Sequence, residues 1–115
     1  MQLPAGDTIE TLLPPGDVAA LCRQHRVETL FLFGSATGGR FDPRRSDFDF
    51  LVTFEEMLPP EYADNYLTFA NALEQLSGRP VHLVTERSIR NPYFRKSVLA
   101  SRQLLYDRRK QEAVV

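Results

Sequence analysis

The segment Asp47 to Phe54, DFDFLVTF, constrains the fold more than any other stretch of the chain. Its first four residues alternate acid and aromatic. Successive side chains of a strand point to opposite faces, so Asp47 and Asp49 share one face and Phe48 and Phe50 the other. At a rise of roughly 3.4 Å per residue the two carboxylate-bearing Cα atoms lie about 7 Å apart. Phe31, Leu32, Phe33, Phe48, Phe50, Leu51 and Val52 surround the pair with apolar side chains, which marks the strand as central. Two carboxylates side by side there would repel each other and lose hydration unless a cation compensates. A solvated strand end is the plainer alternative, and isolated D-x-D pairs are common.

The preceding strand is expected at Val27 to Phe33, whose apolar run Leu30 to Phe33 suggests burial on both faces. Between the two strands, residues 34–46 (GSATGGRFDPRRS) carry three glycines and a proline and form a loop, with room for a short helical turn after Ser35. No full-length helix fits there, so the two strands need not form a parallel crossover. A first helix is expected from Asp17, as N-cap, to about Arg26. Tyr62, Tyr66, Phe69, Leu73 and Leu76 recur at steps of four and three, which predicts an amphipathic helix over Glu61 to Ser77. Pro59-Pro60 and Gly78 punctuate its ends. Pro80 to Val84 reads as a third strand, Pro92 to about Ser101 as a last helix, and Leu104 to Tyr106 as a closing strand. The expected fold class is α+β, a small mixed or antiparallel sheet flanked by helices. Residues 1–16, rich in Pro and Gly, read as a partly ordered leader, 17–106 as the folded domain and 107–115 as a charged tail.

A chain of 115 residues accommodates one domain, and 43% hydrophobic with 25% charged residues is ordinary for a globular protein. No apolar run approaches the roughly 18 residues that cross a bilayer, and the N-terminus lacks the basic start and apolar core of a secretory signal. The lone Cys22 suits a reducing compartment. Together these point to the cytoplasm and away from membranes. A net charge of −1 gives no general attraction to nucleic acid, and only Arg40, Arg44 and Arg45 form a local basic patch between the motifs.

Gly34-Ser35 directly follows the first buried strand. A glycine there permits a sharp turn and close approach of backbone to a ligand, and free N–H groups at the start of a helical turn suit phosphate. Alone the pair is weak, because many strands end in Gly-Ser. Joined to Ser46-Asp47-Phe48-Asp49 it is far more specific. Gly34-Ser35, eleven intervening residues and Asp47-x-Asp49 on an apolar strand resemble the signature of the DNA polymerase β-like nucleotidyltransferase superfamily. More narrowly, LFLFGSATGGRFDPRRSDFDFLV resembles the minimal nucleotidyltransferases, and the likeness extends over about residues 17 to 106.

That resemblance implies an active site on one sheet face. Gly34, Ser35 and Ser46 would contact the nucleotide, and Asp47 and Asp49 would hold divalent metal, Mg²⁺ or Mn²⁺. The reaction would move a nucleoside monophosphate, AMP from ATP, onto a protein or other hydroxyl and release pyrophosphate. Proteins of this type are paired with small helical HEPN proteins in toxin–antitoxin modules, with the transferase as antitoxin, so a HEPN-type partner is expected. A homo-oligomer is compatible with the chain.

One position departs from the family pattern. Its third carboxylate falls on the later strand, where this chain has Val81-His82-Leu83-Val84. Alternation sets His82 opposite Leu83, and a register matching the family's would turn it toward Asp47 and Asp49. An imidazole can ligate metal or accept a proton, yet it brings no negative charge. Three readings therefore stand open: a substitute ligand or base, the mark of a weakened or inactive binding module that neutralises a partner by complex formation, or a histidine without catalytic role.

Overall fold

A computed structural model describes residues 9–37, 47–110 and 112–113. Five strands, β1 (Val27–Phe33), β2 (Phe48–Phe54), β3 (Val81–Thr85), β4 (Gln103–Asp107) and β5 (Glu112–Ala113), form one sheet in the order β3-β2-β1-β4-β5. β1 runs antiparallel to both β2 and β4, and β4 antiparallel to β5. Only β2 and β3 are parallel. The sheet is mixed, and its first two strands are antiparallel, as the loop without a full helix between them allowed. Parallel pairing needs a crossover, and helix α3 (Pro59–Ser77) supplies it.

The ends of α3 follow from its flanking residues. Pro59 and Pro60 occupy the first turn, where backbone N–H groups have no helical partner. Gly78 closes it in the left-handed region at φ 71°, its N–H bonded to the Glu74 carbonyl at 2.8 Å. In α4 (Pro92–Ser101) Asn91 caps the N-terminus, its Oδ1 accepting from the Tyr93 and Phe94 N–H groups at 2.8 and 3.2 Å.

One expectation needs correction, and the structure adds detail at both ends of the described chain. Helix α2 spans Pro15–Gln24, so its start is set by Pro14-Pro15, and Asp17 sits in the first turn rather than at the N-cap. Ahead of it, within the stretch read as a leader, Ile9–Leu12 forms a helical turn, α1. Leu13 lies 3% exposed in the core, an anchor that Pro and Gly content alone did not reveal. At the other end, Asp107 belongs to β4, and its carboxylate takes three hydrogen bonds from Arg109, at 2.9, 3.2 and 2.8 Å. Residues 112–113 then pair with β4. The charged stretch is therefore a hairpin at the sheet edge over its described part.

The two faces of the sheet are packed differently. Leu30 and Leu32 of β1 stand opposite Val52 and Phe50 of β2, and all four are fully buried with Phe48 beneath α2 and α3. Phe69 and Leu73 of α3 and Cys22 of α2 complete that core. Burial pushes the Cys22 thiol far above its ordinary range, so it packs as a small apolar group. The opposite face holds a smaller cluster, Phe33, Leu51, Ile89 and Val98, covered by α4. Beyond α4 that face opens, and the acidic residues stand there.

Candidate active site

Sheet register builds the site. Phe33, the last residue of β1, is the partner of Asp49, so the chain leaves β1 immediately beside that carboxylate. On the other side of β2, Asp49 is the partner of His82 in β3. Antiparallel and parallel neighbours thus bring Gly34, Asp49 and His82 to one row, with Asp47 two residues earlier on the same face.

Gly34 opens a 3₁₀ turn, Gly34–Thr37, at φ 79°, a conformation that suits glycine. A Cβ added there would lie 2.7 Å from Asp49 Oδ2, closer than any side chain can stand. Backbone and carboxylate therefore approach each other as only glycine permits. Thr37 closes the turn, its hydroxyl donating to the Gly34 carbonyl at 2.9 Å. The Gly34 N–H donates to Ser101 Oγ at 3.2 Å, which ties the turn to the last residue of α4. Sequence reasoning missed Ser101. The contact joins residues 67 apart, and a serine at a helix end carries no mark of it.

The charges here are sparsely compensated. Burial raises the Asp49 carboxyl above its ordinary range, nearby His82 opposes that rise, and the neighbouring Asp47 charge adds to it. His82 Nε2 lies 3.1 Å from Asp47 Oδ2, with the two side chains 61% and 42% exposed. So open a pair is weak and leaves both groups free to exchange partners. The imidazole faces the carboxylates because β3 pairs with β2 in the register that sets His82 beside Asp49. Among the described residues no arginine or lysine pairs with Asp47 or Asp49, and no three His, Cys, Asp or Glu side chains come together as a ready-made metal cage. Mg²⁺ is commonly held by only one or two carboxylates together with water and substrate phosphates. Two acids on one face, one of them resisting ionisation through burial, are a donor set that fits such an ion.

Ser35 lies in the 3₁₀ turn, next to this row. Ser46 and the arginines Arg40, Arg44 and Arg45 fall outside the described residues. A cavity of about 320 Å³, lined by Val52, Phe54, Tyr62, Thr85, Arg87 and Arg95 among others, lies at the far end of β2. The carboxylates have no part in it. The conformation of Gly34 and the paired acids are the guide to the site.

Residues 18–105 match the family described as Nucleotidyltransferase domain. The chain belongs to that family. Among curated proteins it is similar to two from Methanocaldococcus jannaschii named as candidate protein adenylyltransferases. One is 37% identical over 75 residues, covering 65% of this chain and 73% of the relative. The other is 33% identical over 78 residues, covering 68% and 76%. Among solved structures, a candidate minimal nucleotidyltransferase superposes with a TM-score of 0.68 at 31% identity, over 87% of this chain and 98% of the other. A toxin–antitoxin crystal structure with AMP-PNP gives 0.65 at 22% identity, over 86% and 78%. A tri-AMPylated Shewanella oneidensis HEPN toxin in complex with MNT antitoxin gives 0.55 at 20%, over 81% and 69%. The last two show likeness of fold. The polymerase β-like fold expected from the Gly-Ser and Asp-x-Asp pattern is the one this chain has.

Proposed function

We propose that this nucleotidyltransferase moves AMP from ATP to a hydroxyl of a protein acceptor, and that it works as the antitoxin beside a small helical HEPN-type partner. The observation that carries the reading is the Gly34 backbone pressed against the Asp49 carboxylate, with Asp47 and His82 on the same face. The names of the similar proteins, for adenylyl transfer and for HEPN complexes, supply nucleotide and partner.

Asp47 and Asp49 would hold Mg²⁺ or Mn²⁺, which when bound neutralises triphosphate charge and favours attack at phosphorus. The glycine turn lets the triphosphate lie against backbone, and the family resemblance gives Ser35 and Ser46 as its further contacts. The acceptor oxygen bonds to the α-phosphorus while the α–β anhydride bond breaks, and pyrophosphate leaves. His82, oriented by Asp47, takes the proton released by the hydroxyl. Arg40, Arg44 and Arg45, in the sequence between the two motifs, would add positive charge for the phosphates. Among the described residues no helix is long and apolar enough to cross a membrane.

A second reading rests on His82 itself. With imidazole in place of the family's third carboxylate, the chain would neutralise its partner by binding, with little or no transfer. One assay separates the two. Protein, HEPN-type partner, Mn²⁺ and ATP labelled at the α-phosphate should yield labelled partner, and Asp49→Asn should cut the rate by about a hundredfold or more. Labelling that survives this substitution removes Asp49 from the reaction. If the native chain is silent and His82→Asp labels the partner, the binding-only reading holds.

A further inference from the structure

From Glu86 to Arg102 the chain carries five cations and a single carboxylate, in a protein whose net charge is −1. Among the described residues outside this segment, three arginines are paired. Arg26, Arg108 and Arg109 each lie within 3.6 Å of a carboxylate. Among the described residues none of Arg87, Arg90, Arg95, Lys96 and Arg102 makes an ion pair, and Glu86 instead accepts from the Thr53 hydroxyl at 3.1 Å. Arg95 and Arg102 have structural partners, the Glu86 and Ile89 carbonyls for one and the Phe31 ring for the other. Arg90 and Lys96 are exposed.

Helix α4, at the centre of this segment, buries only Val98. Tyr93, Lys96 and Ala100 recur on the side opposite Val98 by helical spacing, and Leu99 flanks them. Tyr93 is 83% and Leu99 45% exposed, in a helix that has no acidic residue. This face offers an exposed Tyr, of a kind enriched at interfaces, and an exposed Leu beside Lys96, with Arg90 just ahead of the helix. The same helix ends at Ser101, which holds Gly34, so a chain lying along α4 reaches the site.

We infer that the outer face of α4 docks an acidic stretch of the polypeptide that presents the acceptor hydroxyl. This rests on the transferase reading above and adds the chemical class of the acceptor. Charge complementarity identifies the occupant: uncompensated cations draw carboxylates and steer their approach. Leu99 and Tyr93 favour a polypeptide over a nucleic acid, because they offer apolar area to side chains. Two outward cations also provide few of the phosphate contacts on which nucleic-acid affinity depends.

The test uses the full chain and two fluorescent copolymers, one of glutamate and tyrosine, the other of lysine and tyrosine. In anisotropy titrations without nucleotide, the glutamate–tyrosine copolymer should bind and the lysine–tyrosine copolymer should not. The double variant Arg90→Glu/Lys96→Glu should weaken that binding by about tenfold or more, and Tyr93→Ala by less. Both variants should keep the melting temperature and the ATP affinity of the parent. Supplied with ATP labelled at the α-phosphate, the parent should label the acidic copolymer and the double variant should not. Equal binding of both copolymers, or undiminished binding by the double variant, overturns the proposal. So does a single-stranded oligonucleotide that displaces the copolymer at lower concentration than unlabelled copolymer does. Binding that is intact in the parent and lost in the double variant, with no ATP bound by either, refutes the transferase reading while the docking surface stands.

Discussion

The two faces of β2 are made from alternate residues of one segment, and they solve opposite problems. Phe48, Phe50 and Val52 point into a core where α2 and α3 exclude water completely. Asp47, Asp49 and Thr53 point to a face that α4 covers only in part, and there, among the described residues, no arginine or lysine pairs with the acids. The first face is arranged for stability. The second holds charge at a cost, which the first must offset. Proteins commonly carry such strain at functional sites, and it persists because the surroundings over-determine it. A sheet is well suited to this division, since a period of two separates the tasks residue by residue without lengthening the chain.

Substitutions on the two faces should therefore differ in sign as well as size. Phe50→Ala empties a fully buried site and should lower unfolding free energy by about 3–5 kcal/mol, a large part of the roughly 5–15 kcal/mol typical of a domain. Urea denaturation measures it. Nucleotide binding by the molecules that remain folded should be unchanged, and a parallel loss of affinity would break the contrast.

Asp49→Asn should do the reverse, ending transfer while stabilising the nucleotide-free protein. Burial raises the folded carboxyl above its usual 3.8, so the folded state binds a proton more tightly than the unfolded chain. The ionised side chain then penalises folding at neutral pH, and the penalty fades as pH falls through the raised value toward the ordinary one. The asparagine variant should melt higher by no more than about 3 °C at pH 7, because the face is partly hydrated, and should show no advantage near pH 3. A lower melting temperature at pH 7 would mean that Asp49 already has a compensating partner.

Ser101→Ala should have the smallest effect. It frees the Gly34 N–H, and the Michaelis constant for ATP should rise several-fold, worth about 1 kcal/mol, with kcat little changed and recovery in Ser101→Thr. An unaltered Michaelis constant would show that the turn holds its shape without α4.

Much of this was legible in the residues. The alternation DFDF assigned each side chain of β2 to its face before any coordinates, and the Gly-Ser break named the turn. Alternation along VHLV set His82 on the strand face opposite Leu83. What sequence could not carry was register between strands far apart in the chain. Phe33 beside Asp49, Asp49 beside His82 and Ser101 on Gly34 all depend on how β1, β3 and α4 settle against β2. Nor did local composition show that Leu13 and the segment after Asp107 join the fold. Their anchoring is tertiary, through one buried side chain and through the edge of β4.

Gly34→Ala tests the central claim most directly, with ATP affinity in the presence of Mn²⁺ read by calorimetry. The added methyl would stand 2.7 Å from Asp49 Oδ2 and impose a side chain on φ 79°. The account predicts a variant with an unchanged circular dichroism spectrum, in which metal-dependent ATP binding falls below detection. Parental affinity in that variant would contradict it, for the turn and the carboxylate would then not form one site.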